Sequence, residues 1–381
     1  MRRPLLLLLA VFVSLPLLAS VSFAQIGSGT GRISDEPIDT TPLGKRAANQ
    51  RGKYVKARGG SDESEAAVAA ALKWLALHQR KDGSWSFDHR EGPCKTNPGN
   101  LADSFNGATA LALLPFLGAG QTHKHGEYKA TAKAGLKYLM ENMKIKGEAG
   151  QLTDGGTMYS HGLASIALCE AYALTEDREL MAPAQAAVNY ILFAQDPVGG
   201  GWRYAAKQPG DTSVTGWQVQ ALHVAKLGGL KVSDAALKDA NTFLDSVQSM
   251  DGARYGYTTP GTGIGTTAEG LYCRSLLGWT VKENKAIPAG IEIIAKTGPS
   301  KNNLYYNYYA TQLLRHHLSD AWKAWNEKLS DSLIGSQAKE GAERGSWYIA
   351  GDHGSERGGR IYCTAMATLI LESYYRAYSE R

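Results

Sequence analysis

The sequence predicts an all-α fold, an (α/α)6 toroid in which six helical hairpins close into a double ring. Three observations predict it. Two kinds of helical segment alternate along the chain, one half polar, the other apolar on nearly every face. A helix that is apolar all round is buried on both sides, so the second kind forms an inner layer and the first an outer one. A Gln…Gly…aromatic punctuation recurs where half-polar segments end, at Gln79, Gln195, Gln248 and Gln337. With one degenerate unit in each of the two long gaps, the repeat has a period of roughly 45–58 residues, as in helical-hairpin arrays. No stretch sustains the period of two that marks a strand.

The chain opens MRRPLLLLLAVFVSLPLLASVSFAQ. Arg2 and Arg3, a short Pro-broken apolar run, and Ser22-Phe23-Ala24 at the cleavage positions read as a secretory signal peptide, residues 1–24. The expectation is export, to a periplasmic or extracellular location, with cleavage near Ala24. Residues 25–60 mix Gly, Ser, Thr and Pro with Lys45, Arg46, Arg51, Lys53, Lys56 and Arg58. They read as a flexible basic linker, a solvated tether. Residues 61–381 read as one repeat-built toroid domain. No later segment reaches the ~20 apolar residues that a membrane span needs.

The first outer helix is SDESEAAVAAALKWLALHQ. Its acids sit at the positive end of the helix dipole, and Val68, Ala71, Leu72 and Leu75 make an amphipathic stripe. The turn Gln79…Gly83-x-Trp85 follows. It returns as Gln195…Gly200-x-Trp202, as Gln248…Gly252 with Tyr255 in the Trp place, and as Gln337…Gly345-x-Trp347. AGLKYLMENMKIKGEAG and AGIEIIAKTGPSKNN fill the two gaps as outer helices without the Trp. The inner helices are read from DSFNGATALALLPFLG, TMYSHGLASIALCEAYAL, DTSVTGWQVQALHVAKLG, TTAEGLYCRSLLG, NLYYNYYATQLLRHH and RIYCTAMATLILESYY. All six begin after Gly-rich turns, so their N-termini are expected to share one rim around a central cavity.

The net charge of +5 comes from the first 60 residues, and the remainder is close to neutral. That gives no support for a nucleic-acid surface. The four cysteines, Cys94, Cys169, Cys273 and Cys363, have no close pair. They read as small buried hydrophobes, not as a disulfide scaffold.

The Gln…Gly-x-Trp turn after an apolar helix resembles the QW repeat of squalene–hopene cyclases and protein prenyltransferase β-subunits. Four copies run from about Ala67 to Trp347. The resemblance implies the toroid and gives Gln79, Trp85, Gln195 and Trp202 a scaffold role. It is thinner for chemistry. The cyclases carry an Asp-rich motif ending Asp-Thr-Ala at the start of an inner helix; the matching stretch here is Gln208-Pro209-Gly210-Asp211-Thr212-Ser213, and only Asp211 survives. The prenyltransferases hold zinc with Asp, Cys and His; Glu269-Gly270-Leu271 and Tyr362-Cys363-Thr364 stand in those places, too few ligands for a firm zinc site. No metal and no cofactor are expected, and the pair His123 and His125 lies in a charged loop.

The candidate site is the set of polar and aromatic residues near the inner N-termini. Asp211, His161 and Glu269 are its titratable groups and candidate catalytic residues. Tyr159, Thr215, Trp217, Tyr305, Tyr309 and Tyr362 are candidate ligand-binding residues. Arg360, in the Gly-rich run GDHGSERGGR, is a further one, since Arg can fork onto a carboxylate or phosphate. Asp211 also stands where a helix cap belongs, and the cap is its first role. The leading expectation is an exported terpenoid-cyclase-like protein that binds an apolar isoprenoid in its central cavity, with transformation of that ligand left open. The alternatives are a polysaccharide lyase or hydrolase on the same barrel, and a non-enzymatic envelope scaffold whose cavity is plugged by Tyr and Trp. The expected partner is a small apolar or glycan ligand, with no nucleic acid.

Overall fold

The computed structural model describes residues 43–378. The signal peptide and the first half of the expected linker, residues 25–42, lie outside the described residues. Helix α1 spans Ala48–Ala57. The outer helices are α2 (Asp62–Leu77), α4 (Lys129–Glu141), α6 (Arg178–Ala194), α8 (Asp234–Val247), α10 (Ala286–Thr297) and α12 (Trp322–Ser336). The inner helices are α3 (Phe105–Gly118), α5 (Thr157–Thr175), α7 (Thr212–Leu227), α9 (Ile264–Leu276), α11 (Leu304–His316) and α13 (Ser355–Leu371). A short α14 covers Ser373–Arg376. The only strands among the described residues form two small antiparallel hairpins. One is β1 (Lys144–Lys146) with β2 (Ala149–Gln151), the other β3 (Gln248–Ser249) with β4 (Arg254–Tyr255).

Local chemistry starts these helices where the sequence says they should start. Ser61 and Ser64 form a reciprocal capping box at the head of α2, with Asp62, Glu63 and Glu65 in its first turn. The side chains of Asp177, Asp211, Ser233 and Asn303 cap α6, α7, α8 and α11. Each cap satisfies a backbone N–H that has no partner inside its helix.

The inner helices form a closed ring. α3 packs on α5, α5 on α7, α7 on α9, α9 on α11 and α11 on α13, and α13 returns to α3. The outer layer closes too, since α12 reaches α2. The chain is therefore the all-α (α/α)6 toroid that its two helix types predict. The repeated turns are its fasteners. The Gln79 amide donates to Gly83 O and to Thr131 O of α4, at 2.9 and 3.0 Å. Gln195 does the same with Gly200 O and Ala236 O of α8. Gln337 donates to Gly345 O and to Ala67 O of α2, joining the last outer helix to the first. The Trp indoles turn back onto the preceding helix: Trp85 to Leu75 O, Trp202 to Ile191 O and Trp347 to Leu333 O, each at 2.8 Å. The glycine is required, because Gly83, Gly200 and Gly345 have φ near 90° and press against a carbonyl of the next outer helix. The fourth copy differs. Tyr255 replaces Trp, and Arg274 fills the space, bonding the Tyr255 hydroxyl, Gln248, Asn241 and Asp245.

Residues 43–60 correct the linker reading. They are folded against the ring. Arg46 is fully buried and ion-paired to Glu170 of α5 at 2.8 Å. Arg376 and the Tyr378 hydroxyl join the same carboxylate. Arg51 donates to Ala119 O beyond α3, while Arg58 O and Gly59 O accept from Trp322 and Asn326 of α12. This segment and α14 close the end of the ring opposite the inner N-termini. Composition suggested a tether because charge density carries no information about a buried partner 124 residues away.

Candidate functional site at the rim of the ring

The middle of the ring is filled. Trp217 of α7 stacks on Tyr308 of α11 with centroids 5.5 Å apart, and Tyr309 meets both rings. Gln220 sits between two phenols: its carbonyl accepts from Tyr308 at 2.9 Å and its amide donates to Tyr309 at 3.0 Å. Trp217 and Tyr308 are 3% and 2% exposed, and Tyr309 and Glu269 are at zero. Close packing of this kind leaves no room for a ligand among these side chains.

Glu269, on α9, lies just above that packing. Its Oε1 accepts from the Tyr305 hydroxyl at 2.8 Å, and its Oε2 has no hydrogen-bond partner. The carboxyl rests on Gly216 of α7, where any Cβ would collide with it. Burial pushes the Glu269 pKa well above the ordinary value, against the opposing pull of the Tyr305 and Tyr309 hydroxyls, and the nearby charge of Asp211 pushes the same way. Burial thus favours the protonated form of Glu269.

Asp211 caps α7, its Oδ1 accepting from Val214 N at 2.8 Å. Its Oδ2 faces Arg203 Nε at 3.7 Å. Burial raises its pKa, and the Val214 amide, the Tyr257 hydroxyl and Arg203 offset only part of the rise. Above it, the Tyr204 and Tyr257 hydroxyls bond each other at 2.6 Å, and the Arg203 guanidinium lies over both rings at 5.5 and 5.9 Å. Tyr204 is 42% exposed and Tyr257 38%. Tyr159 of α5 is half-buried against Tyr204, and its pKa is raised by burial and also feels Asp211 and Glu269. Tyr305, also half-buried, reaches from Glu269 to Ser213 O at 3.3 Å.

Six of the candidates thus come together: Asp211, Glu269, Tyr159, Tyr305, Trp217 and Tyr309. The other four do not join them. His161 lies between α5 and α6, bonded to Leu152 N and against Ala187 O, each at 3.1 Å, with Tyr190 edge-on to its ring. Full burial lowers its pKa to about 4, so it is a neutral packing residue. Thr215 holds the repeat turn: its hydroxyl accepts from Trp202 N at 3.0 Å, as Thr109, Thr267 and Thr364 do for Trp85, Tyr255 and Trp347. Arg360 is saturated by Glu343, Asn97, Thr96 and Ser346. The expected binding loop is instead the first turn of α13, broken at Gly359 where the backbone meets Asn97 and Gly99. Tyr362 is tucked under Gly354 and Gly358, near Asp352. The reading also missed Arg203, Tyr204 and Tyr257. The signal was present: Tyr204 stands two residues after Trp202, and Tyr257 two after Tyr255, the same offset in consecutive repeats.

The cysteines are free and buried, and no cluster of three metal-ligating side chains occurs among the described residues. No helix of the described residues is long and apolar enough to cross a membrane.

Solved structures share this fold. The cellobiose 2-epimerase of Spirochaeta thermophila DSM 6192 matches with a TM-score of 0.62 at 12% identity, over 86% of this chain and 99% of that one. The GH76A α-1,6-mannanase of Salegentibacter sp. HEL1_6 matches with a TM-score of 0.56 at 12% identity, over 82% and 99%. The type II terpene cyclase MstE from Scytonema, in complex with geranylgeranyl dihydroxybenzoate, also gives 0.56 at 12% identity, over 82% and 97%. At that identity the likeness is one of fold. No family model and no curated protein matches the chain.

Proposed function

We propose that this chain is a binding toroid that takes a hydroxyl-rich ligand of the glycan class on its rim. One observation carries the reading. The centre of the ring is occupied by Trp217, Tyr308 and Tyr309, while the exposed part of the site is a tyrosine platform, Tyr204 and Tyr257, with Arg203 across it. A long apolar ligand needs a concave pocket that covers most of its surface. A sugar needs less: a flat aromatic face for its C–H face and polar tips for its hydroxyls, and tyrosine offers both. On that ground a glycan is favoured over an isoprenoid as the ligand, bound without the lyase or hydrolase chemistry of the glycan alternative; the terpene cyclase among the fold matches is compatible with the isoprenoid reading, and the plugged centre is what the scaffold alternative expects. The repeat turns and the terpene cyclase among the fold matches support a place beside the QW-repeat toroids, at the level of the scaffold.

A second reading, chemistry on the bound ligand, is favoured by Glu269 and Asp211. Two carboxyls with raised pKa values, one bonded to a half-exposed tyrosine, are the raw material of general acid catalysis. Both are fully buried, so this reading requires Tyr305 or Tyr257 to move aside.

Calorimetric titration of the purified protein with α-1,6-mannotriose, cellobiose and the prenyl alcohol farnesol tests the proposal. Saturable binding of a saccharide, lost in Tyr257→Ala, is the expected result. Binding of farnesol alone, indifferent to Tyr257→Ala, would overturn it.

A further inference from the structure

Charge does not balance at the tyrosine rim. The Arg203 side chain is 36% exposed, and among the described residues its only acid partner is Asp211, which is fully buried. The pair is loose. Nε stands 3.7 Å from Asp211 Oδ2, too long for a hydrogen bond. Asp211 is committed through Oδ1 to the cap of α7, and burial shifts it toward its protonated form, so it offsets little of the Arg203 charge. The other two guanidinium nitrogens, Nη1 and Nη2, bond no protein group among the described residues. Arg274 and Arg360 are different: each is spent on four neighbouring residues.

The Arg203 guanidinium is nonetheless held in place. It lies 5.5 and 5.9 Å from the ring centroids of Tyr204 and Tyr257, whose hydroxyls bond each other at 2.6 Å. The backbone anchors both tyrosines. Tyr204 O accepts from Met158 N at 3.1 Å, and Tyr257 O from Thr212 N at 2.9 Å. Two consecutive repeat units therefore present one cation in a set orientation, which lowers the ordering cost of binding.

Little else at this place would receive an anion. Those two backbone bonds, and the bond from Val214 N to Asp211, spend amides at the heads of α5 and α7 that could otherwise hold a phosphate. Lys207, in the same loop, is engaged with the Phe193 ring at 4.6 Å. A single planar fork without a second cation suits a single planar anion, which is a carboxylate.

We propose that the rim selects acidic saccharides, with Arg203 taking the carboxylate of a hexuronic acid through Nη1 and Nη2. The Tyr204 and Tyr257 hydroxyls then serve the hydroxyls of the sugar. This preference rests on the rim reading above and narrows its ligand class.

Calorimetry of the purified full chain with three matched pairs tests it. The pairs are cellotriose and its β-1,4-glucuronate counterpart, β-1,4-mannotriose and trimannuronate, and α-1,4-galactotriose and trigalacturonate. In at least one pair the acid should bind roughly tenfold more tightly, a gain of about 1.4 kcal/mol, and the gain should shrink in about 0.5 M salt. Arg203→Gln should level that pair. Arg203→Lys, which keeps the charge and loses the fork, should retain only a small part of the gain. The 6-O-sulfated form of the same trimer checks the shape of the anion: affinity equal to that of the uronate overturns the carboxylate assignment. Neutral and acidic trimers that bind equally, and are lost together in Tyr257→Ala, overturn the acid preference and leave the rim reading standing. Absence of binding in every pair overturns both.

Discussion

Arg46 Nη1 lies 2.8 Å from Glu170 Oε2, with both side chains at zero exposure and 124 positions apart in the chain. The pair sits at the end of the ring away from the tyrosine rim, with Arg376 and Tyr378 on the same carboxylate. Burial pushes the Glu170 carboxyl up, but Arg376 and Arg46 pull harder, and its pKa ends below the ordinary value. It is ionised and held by two guanidinium groups.

Removing one partner of such a cluster leaves a buried charge short of compensation, which typically costs about 3–5 kcal/mol. Arg46→Ala is therefore expected to lower the denaturation midpoint strongly, and Lys53→Ala, on an exposed position of α1, to leave it unchanged. Urea unfolding of the two variants checks this. Equal and small effects would return residues 43–60 to the status of a tether.

Gln337 makes the bond that joins the last outer helix to the first. Gln337→Ala removes two buried hydrogen bonds, to the carbonyls of Ala67 and Gly345. A loss of about 2–4 kcal/mol is expected. Hydrogen exchange should quicken at the start of α2 as well as at the turn after α12, because the ring opens there. Exchange confined to the turn after α12 would contradict a closed outer layer.

Glu269 gives the toroid a pH dependence with a definite sign. Its folded pKa is well above the unfolded one, so its contribution is fully present below about pH 4.5 and is lost as pH rises toward the folded value. In that window the unfolded chain has released a proton that the folded chain retains. Wild type should therefore lose about 1.4 kcal/mol per pH unit relative to Glu269→Gln. Unfolding of both proteins at several pH values between 5 and the folded pKa reads the difference directly, and parallel curves would show that Glu269 is ionised in the folded state. The protonated carboxyl also has its own infrared carbonyl band, which Glu269→Gln removes.

His161 carries the opposite dependence. Its pKa is lowered to about 4 by burial, whereas an unfolded histidine titrates near 6.5. Its contribution is present above about pH 6.5 and is lost as pH falls toward 4. His161→Asn should narrow its stability deficit against wild type as the solution is acidified. Loss of saccharide binding in a folded His161→Asn protein would contradict its assignment to packing.

The double ring was legible because two signals act locally and repeat. The face pattern of each helix reports how many sides are buried, and the Gln–Gly–Trp turn performs one job at Gln79, Gln195 and Gln337. The Asp211 cap was legible for the same reason, since a cap depends on residues three positions away. The site was legible only in part. Asp211, Glu269, Tyr159 and Tyr305 lie near inner N-termini, and ring closure brings them together. His161 starts near the same rim but turns outward, and helical phase decides that, not position in the sequence. Arg360 looked free because Glu343 and Asn97, which hold it, are remote or on another unit. Whether the centre is hollow or full depends on the summed volumes of Trp217 on α7 and of Tyr308 and Tyr309 on α11, and no single segment records that sum.

The filled centre is the claim on which the rim reading stands. Crystals pressurised with xenon test it most directly, because xenon enters dry apolar cavities without needing a specific ligand. No xenon is expected among Trp217, Tyr308, Tyr309 and Glu269. A well-occupied xenon site there, or lipid density threading the ring between those side chains, would contradict it and restore an enclosed apolar ligand as the better reading.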